Sequence, residues 1–322
     1  MRYRQLGATG IRVSEIGFGA WGIGGNVGDA VAYGPADEGE SHAALRRAVE
    51  LGINFFDTSD LYGSGHSEEV LGESLQPLRP KLVLATKVGF RDSTGAQDFS
   101  PTYIEAALER SLRRLRSDYV DLYQLHDPPI ELLKTDASVV RTLENLRAAG
   151  KIRAYGISLR TPDDGLAAVR DLGFGCLQFN FNMLDQRAED NGLLDLCDEQ
   201  GVGVIVRTPL VFGFLTGRYT AQDNFDKSDH RHRRSPKQLD RWAGAYRLFT
   251  QLMNHPKGET PSQFALRFCL SHRCVSTVIP GMLTREHVVE NAMASDLGPL
   301  PGSVVRTISN IYRENSFFVG RD

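Results

Sequence analysis

The sequence predicts an α/β fold: a (β/α)8 TIM barrel with an N-terminal β-hairpin closing the barrel floor. Three observations carry this. Eight short, apolar, β-rich runs are spread along 322 residues. Amphipathic helical segments separate them at intervals of roughly 25–40 residues, the signature of repeated parallel βαβ units. No G-x-G-x-x-G begins after the first run to open a helix, so an open dinucleotide-binding sheet lacks its main support. Barrels of this kind reach this size as one unit, so residues 1–322 are read as a single domain.

Residues 1–15 read as the hairpin, two extended runs around Gly7–Gly10. Strands are expected at Glu15–Ala20, Ile53–Asp57, Lys81–Val88, Tyr119–His126, Ile152–Ser158, Cys176–Phe181, Val202–Arg207 and Thr277–Pro280. Runs such as LVLATKV and VGVIVRT do not alternate cleanly, as expected of strands covered on both faces. Ser100-Pro101, Thr161-Pro162 and Thr260-Pro261 each set a capping hydroxyl before a proline at the first helical position. Thr161 with Asp164 resembles a capping box, and Thr260 with Gln263 matches one. Stretches such as YIEAALERSLRRL keep their apolar residues on one stripe. The interval after Arg207 is too long for one helix. Residues 208–260 are therefore a loop-and-helix insertion, in which the charged run Asp223–Pro236 is expected as a mobile surface loop near the active face. Residues 301–322 read as a helix and an apolar tail, whose Phe317 and Phe318 should be covered.

Composition narrows the functional classes. A net charge of -3 argues against nucleic acid or an anionic membrane as main partner. No apolar run approaches the roughly 20 residues of a membrane span, and the first residues lack the apolar core of a signal peptide. Cys176, Cys197, Cys269 and Cys274 show no C-x-x-C spacing and read as reduced packing residues, consistent with a cytoplasmic location. His230 and His232 have the spacing of a ligand pair, but a polar loop of this kind is expected to be solvated, and no metal site is assigned. Nothing in the sequence specifies an oligomeric state.

In a βα barrel the reactive groups sit at the C-terminal strand ends. Those ends offer Asp57 and Tyr62 after the second strand, Lys87 on the third and His126 on the fourth. Each alone is weak; together they make a chemistry. A phenol with a pKa near ~10 is a poor proton donor at neutral pH. An ammonium beside it stabilises the phenolate, and a carboxylate holds the ammonium. A neutral imidazole can orient a carbonyl. Such a set protonates a carbonyl oxygen as hydride reaches carbon, or runs the reverse, and the hydride must come from a cofactor.

The stretches Phe55-Phe56-Asp57-Thr58-Ser59-Asp60-Leu61-Tyr62-Gly63, Ala85-Thr86-Lys87-Val88 and Leu125-His126 resemble the Asp–Tyr–Lys–His tetrad of the aldo-keto reductases. Gly65-His66-Ser67-Glu68-Glu69-Val70-Leu71-Gly72 follows in the family's place, and the similarity continues to Ala294. It lies near the potassium-channel β-subunit-like and sugar/pyridoxal-oxidoreductase branches. The resemblance implies that Tyr62 is the general acid/base, that Lys87 lowers its pKa, that Asp57 pairs with Lys87 and that His126 orients substrate.

The same resemblance implies a nicotinamide dinucleotide across the barrel mouth. Ser158 and Gln178 match two of the three residues that hold its carboxamide; the third, an Asn in the family, is Leu159 here. Arg207 replaces the Tyr that stacks on the nicotinamide ring in many relatives, and a guanidinium can stack as well or serve instead as an ion-pair partner. Thr208, Pro209, Leu210, Gly213, Leu215 and Arg218 fall in the family's pyrophosphate-wrapping segment. Gly281, Leu283, Thr284, Arg285, Glu290 and Asn291 fall on the adenosine side, where NADP-preferring members place a basic residue at the position of Leu283. NADP(H) is the family's usual cofactor, and NAD(H) is the alternative. Trp21, Phe90 and His126 are the expected substrate contacts, for a small carbonyl or alcohol. Two readings result: an NAD(P)-dependent oxidoreductase of aldehydes, ketones or their alcohols, and a cofactor-binding regulatory or redox-sensing subunit with little turnover.

Overall fold

The computed structural model describes residues 1–28, 31–253 and 258–320. Strands β1 (Tyr3–Gln5) and β2 (Arg12–Ser14) pair antiparallel, Tyr3 opposite Ser14, through a tight turn at Gly7–Thr9. Eight parallel strands follow: β3 (Phe18–Gly19), β4 (Phe55–Asp57), β5 (Val83–Val88), β6 (Val120–His126), β7 (Ile152–Ser158), β8 (Cys176–Asn180), β9 (Gly203–Arg207) and β10 (Val275–Val278), each paired with the next in chain order. The first and last strands meet. Gly17 N–H donates to Val278 O at 2.8 Å, Val278 N–H to Glu15 O at 2.9 Å, and Gly19 N–H to Pro280 O at 3.1 Å. The sheet is thus a closed barrel. The ladder of the last strand ends before the expected Pro280, which has no N–H to give it.

Helices α1 (Glu38–Glu50), α2 (His66–Leu75), α3 (Pro101–Leu115), α4 (Ile130–Thr135), α5 (Ser138–Ala148), α6 (Pro162–Arg170), α7 (Arg187–Asp190), α8 (Leu193–Glu199), α9 (Pro236–Ala245), α10 (Pro261–Leu270), α11 (Arg285–Leu297) and α12 (Gly302–Glu314) cover the outside. Their starts follow the sequence signals: Ser100, Thr161 and Thr260 each accept an N–H three residues on, and Thr260 with Gln263 forms the reciprocal capping box.

Side chains alternate along each strand, and this divides the barrel interior into two levels. The lower level is apolar: Phe55, Val83, Ala85, Leu122, Ala154, Cys176, Ile205 and Ile279 pack with Leu6, Ile11 and Val13 of the hairpin. The hairpin is therefore the floor. Two residues further along several strands the same inward register carries Asp57, Lys87, Gln124, Gln178 and Arg207, and four residues beyond Ala154 it carries Ser158. Gly7 fixes the floor's approach to β9: with φ +52, a Cβ there would lie 2.2 Å from the backbone nitrogen of Gly203. Gly7→Ala should cost about 2–3 kcal/mol in urea denaturation, from combined strain and overlap; an unchanged midpoint would show that the floor yields.

The insertion after β9 runs through short 3-10 turns, at Val211–Thr216 and His230–Arg233, into α9. The C-terminal tail is clasped to α9. Gln238 donates to Phe317 O and accepts from Val319 N–H, both at 2.8 Å, Phe317 is buried, and the Phe318 ring packs edge-on against Trp242 at 5.9 Å. All four cysteines are buried free thiols. Among the described residues no helix is long and apolar enough to cross a membrane.

Candidate active site

The polar upper level of the barrel is built on a buried ion pair. Lys87 Nζ donates to Asp57 Oδ1 at 2.5 Å, to Thr58 O at 2.8 Å and to the Tyr62 hydroxyl at 3.2 Å. The second carboxylate oxygen of Asp57 accepts from Gln178 at 2.8 Å and from Gln124 at 3.0 Å. Every strong acceptor and donor of the pair is thereby engaged, the condition under which buried charges persist.

Tyr62 reaches this pair from a turn after β4 rather than from the strand itself. The turn doubles back at Gly63 and Ser64, both at positive φ, and a Cβ on Gly63 would lie 2.3 Å from Gly24 O. Behind it, Thr58 donates to Ser67 at 2.8 Å, Ser67 to Ala20 O at 2.8 Å, and Glu68 is held by Thr86 and Arg114. The Ser67-Glu68 part of the signature stretch thus braces the turn that carries the phenol.

Burial raises the Tyr62 hydroxyl above the ordinary phenol range, with Lys87 pulling the other way. Burial also opposes the Lys87 ammonium, but Asp57 and Tyr62 outweigh it and the group stays charged. The lowering of the phenol by Lys87 expected from sequence is present as an opposing contribution, and burial outweighs it. His126 is held well below the usual imidazole value by burial, then by Lys87 and Arg207, so it is neutral. Its ring stands edge-on to Tyr62 at 6.0 Å and to Phe90 at 4.9 Å, and Nδ1 meets Ser59 Oγ at 3.3 Å.

Above this layer opens a cavity of about 490 Å³, a size usual for ligand sites. Its lining includes Trp21, Asp57, Tyr62, Gln178 and Arg207. Of the other expected cofactor residues, Thr208, Pro209, Leu210, Gly213, Arg218, Gly281, Leu283, Glu290 and Asn291 also line it. His126 lies beside Tyr62, Ser158 beside Gln178, and Phe90 packs on His126, all without belonging to that lining, and Leu215 is fully buried in the core.

Two atoms test the fit of a carboxamide. Ser158 and Gln178 are register partners on β7 and β8. Ser158 Oγ and Gln178 Oε1 are buried with no hydrogen-bond partner, a donor and an acceptor side by side. A primary amide offers the complementary pair. Leu159, at the family's Asn position, is buried, and its carbonyl accepts from Arg207 at 2.9 Å. Arg207 also donates to Asn180 at 2.9 Å and lies 3.8 Å from Asp127. Its guanidinium is thus stitched across the mouth rather than spread on the surface. The loop beyond it holds Thr208, Val211 and Phe212 at positive φ, a strained run of the kind found at ligand clamps, and Asn182 ties it down through Thr208 O at 3.1 Å.

At the end where the resemblance expects the adenosine, Thr284 caps α11 and Arg285 turns to Glu40. Glu40 Oε1 accepts from the Arg285 backbone N–H at 3.0 Å and from its Nε at 3.3 Å. Arg218 donates to Glu290 at 2.9 Å.

The run Asp223–Pro236 does lie over the active face, but its centre is fixed, contrary to the expectation of mobility. Asp229, His230 and Arg231 are buried, Arg231 pairs with Asp229 at 2.6 Å, and its guanidinium sits over Tyr33, Tyr219 and Phe225. His232 contacts Phe225 O, and the two histidines do not converge on a metal; among the described residues no cluster of three or more His, Cys, Asp or Glu could hold one. Gln124, Tyr33 and Glu40 lie in or beside the candidate site and were passed over by sequence reasoning, which weighed His230 only as one of a metal-ligand pair. Gln124 had a usable signal, since it shares the inward register of His126 two residues on.

The chain's similarities agree with this geometry. The model of the Aldo/keto reductase family matches residues 15–313. L-galactose dehydrogenase of Arabidopsis thaliana is 35% identical over 303 residues, covering 90% of this chain and 87% of that protein. The holo form of the aldo-keto reductase AKR11C1 from Bacillus halodurans superposes with a TM-score of 0.79 at 30% identity, over 100% of this chain and 99% of the other. The glycerol dehydrogenase AKR11B4 from Gluconobacter oxydans gives 0.80 at 26% identity, over 99% and 98%.

Proposed function

This chain belongs to the aldo/keto reductase family, and on that premise we propose that it is a reductase or dehydrogenase in which Tyr62 exchanges a proton with the oxygen of a small, hydroxylated carbonyl compound or its alcohol. The observation that carries the proposal is the Tyr62 hydroxyl at 3.2 Å from an ammonium anchored on Asp57, at the base of the cavity. A nicotinamide cofactor, when bound, supplies or takes the hydride. Ser158 and Gln178 would hold its carboxamide, Arg207 would stand against the ring, and the 208–218 loop with Arg218 would follow the pyrophosphate. The neutral His126 is suited to orient the carbonyl, because it offers a hydrogen bond without adding charge beside Lys87. The hydroxylated class is supported by two relatives' names, L-galactose dehydrogenase and glycerol dehydrogenase.

For the dinucleotide, the family's habit favours NADP(H), but one observation favours NAD(H). Leu283 is apolar, Arg218 is paired with Glu290, and the Glu40 carboxylate already occupies the first N–H of α11. A 2′-phosphate brought there must displace a carboxylate that already holds the first N–H of the helix and pairs with Arg285, so neither is free to attract it. NADH should therefore bind about tenfold more tightly than NADPH when nicotinamide fluorescence is titrated, and Glu40→Gln should narrow the gap. NADPH binding the tighter would reverse the cofactor assignment. Binding of neither would sink the oxidoreductase reading, and tight binding without turnover of any carbonyl or alcohol would favour the regulatory one.

A further inference from the structure

We propose that His230 is the specificity-determining contact of the substrate pocket, recognising a substrate hydroxyl near the carbonyl that Tyr62 serves; this deepens the oxidoreductase reading and rests on it. His230 is 8% exposed and lines the cavity, and its Nε2 is buried without a hydrogen-bond partner. A polar atom in that state costs free energy until something pairs with it. Its ring is fixed from several sides. Trp21, Tyr33 and Phe212 surround it at centroid distances of 4.6, 4.8 and 4.9 Å, and its backbone N–H donates to Ala32 O at 2.7 Å. Burial holds its pKa at about 4, so a neutral ring faces the pocket at physiological pH.

Trp21 links this residue to the chemistry, since its ring also lies 6.5 Å from that of Tyr62. An apolar aromatic face beside one neutral nitrogen suits a short carbon chain bearing a hydroxyl. A phosphate would need a free cation here. Arg231 is committed to Asp229 and to Phe212 O, and Arg234 lies over the Phe212 and Trp242 rings. The site therefore points to an uncharged hydroxyl.

The test compares glyceraldehyde with propanal, which lacks both hydroxyls, as substrates for reduction. In the unaltered enzyme kcat/KM should favour glyceraldehyde by about 10- to 100-fold, the discrimination of one buried hydrogen bond. His230→Phe should bring the ratio down to about threefold or less, mainly through KM, and His230→Gln, which returns an amide near the Nε2 position, should restore part of it. Because both substrates are measured on one preparation, the ratio cancels any loss of folded enzyme. An unchanged ratio in His230→Phe overturns the role of His230 while leaving the reductase reading intact. No turnover of either aldehyde by the unaltered enzyme overturns that reading and this proposal with it.

Discussion

Replacing Tyr62 with Phe is expected to lower kcat for carbonyl reduction by about 10²- to 10⁴-fold, the usual contribution of a positioned general acid, while dinucleotide affinity stays within about threefold. The hydroxyl is the only part removed, and the ring keeps its packing against Trp21 and His126. The pH profile gives the second readout. Burial holds the Tyr62 pKa above the ordinary phenol value, so the proton is present at neutral pH and reduction proceeds; alcohol oxidation needs the phenolate and should rise with pH toward that raised pKa. Stopped-flow measurement in both directions should find this pH dependence in the unaltered enzyme and its loss in Tyr62→Phe. A variant with normal rates would remove Tyr62 from the reaction.

Lys87→Met should abolish measurable turnover and also destabilise the fold, by about 3–5 kcal/mol, because it strands a buried carboxylate. Asp57 would keep only the two amide donors, Gln124 and Gln178. Urea denaturation of the single variant and of Asp57→Asn/Lys87→Met separates the two effects. The double variant should recover much of the lost stability, since no unpaired charge remains, and none of the activity. Recovery of activity in the double variant would show that Lys87 serves the fold alone.

The sequence was most legible where function follows local register. Asp57, Lys87, Gln178 and Arg207 lie at inward positions two residues beyond apolar ones, at Phe55, Ala85, Cys176 and Ile205, so strand period and strand end together locate them. Helix starts were legible for a similar reason, since a capping hydroxyl acts on its own first turn. Long-range pairings were not. Glu40 meets Arg285 across 245 positions, and His230 meets Trp21 only once the barrel has closed. Composition also misjudged the 223–236 run. Charge suggested solvation, but Arg231 spends its charge on Asp229 and lays its guanidinium on three rings, which no count of polar residues reveals.

The clasp between the tail and α9 has a consequence for the order in which the molecule is completed on the ribosome. Phe318 packs on Trp242, and Trp242 backs Phe212 at 5.8 Å, which in turn lines the pocket. The tetrad residues all lie before residue 127, and β10 is synthesised some forty residues before the tail, counting from Val278 to Phe318. A nascent chain can therefore close its barrel and bring Asp57, Tyr62, Lys87 and His126 together first. The pocket wall at Phe212 receives its backing from Phe318 through Trp242 later than that, once residues 317–319 have been made, so the proposed proton-handling groups can be in place before the proposed selecting wall is braced.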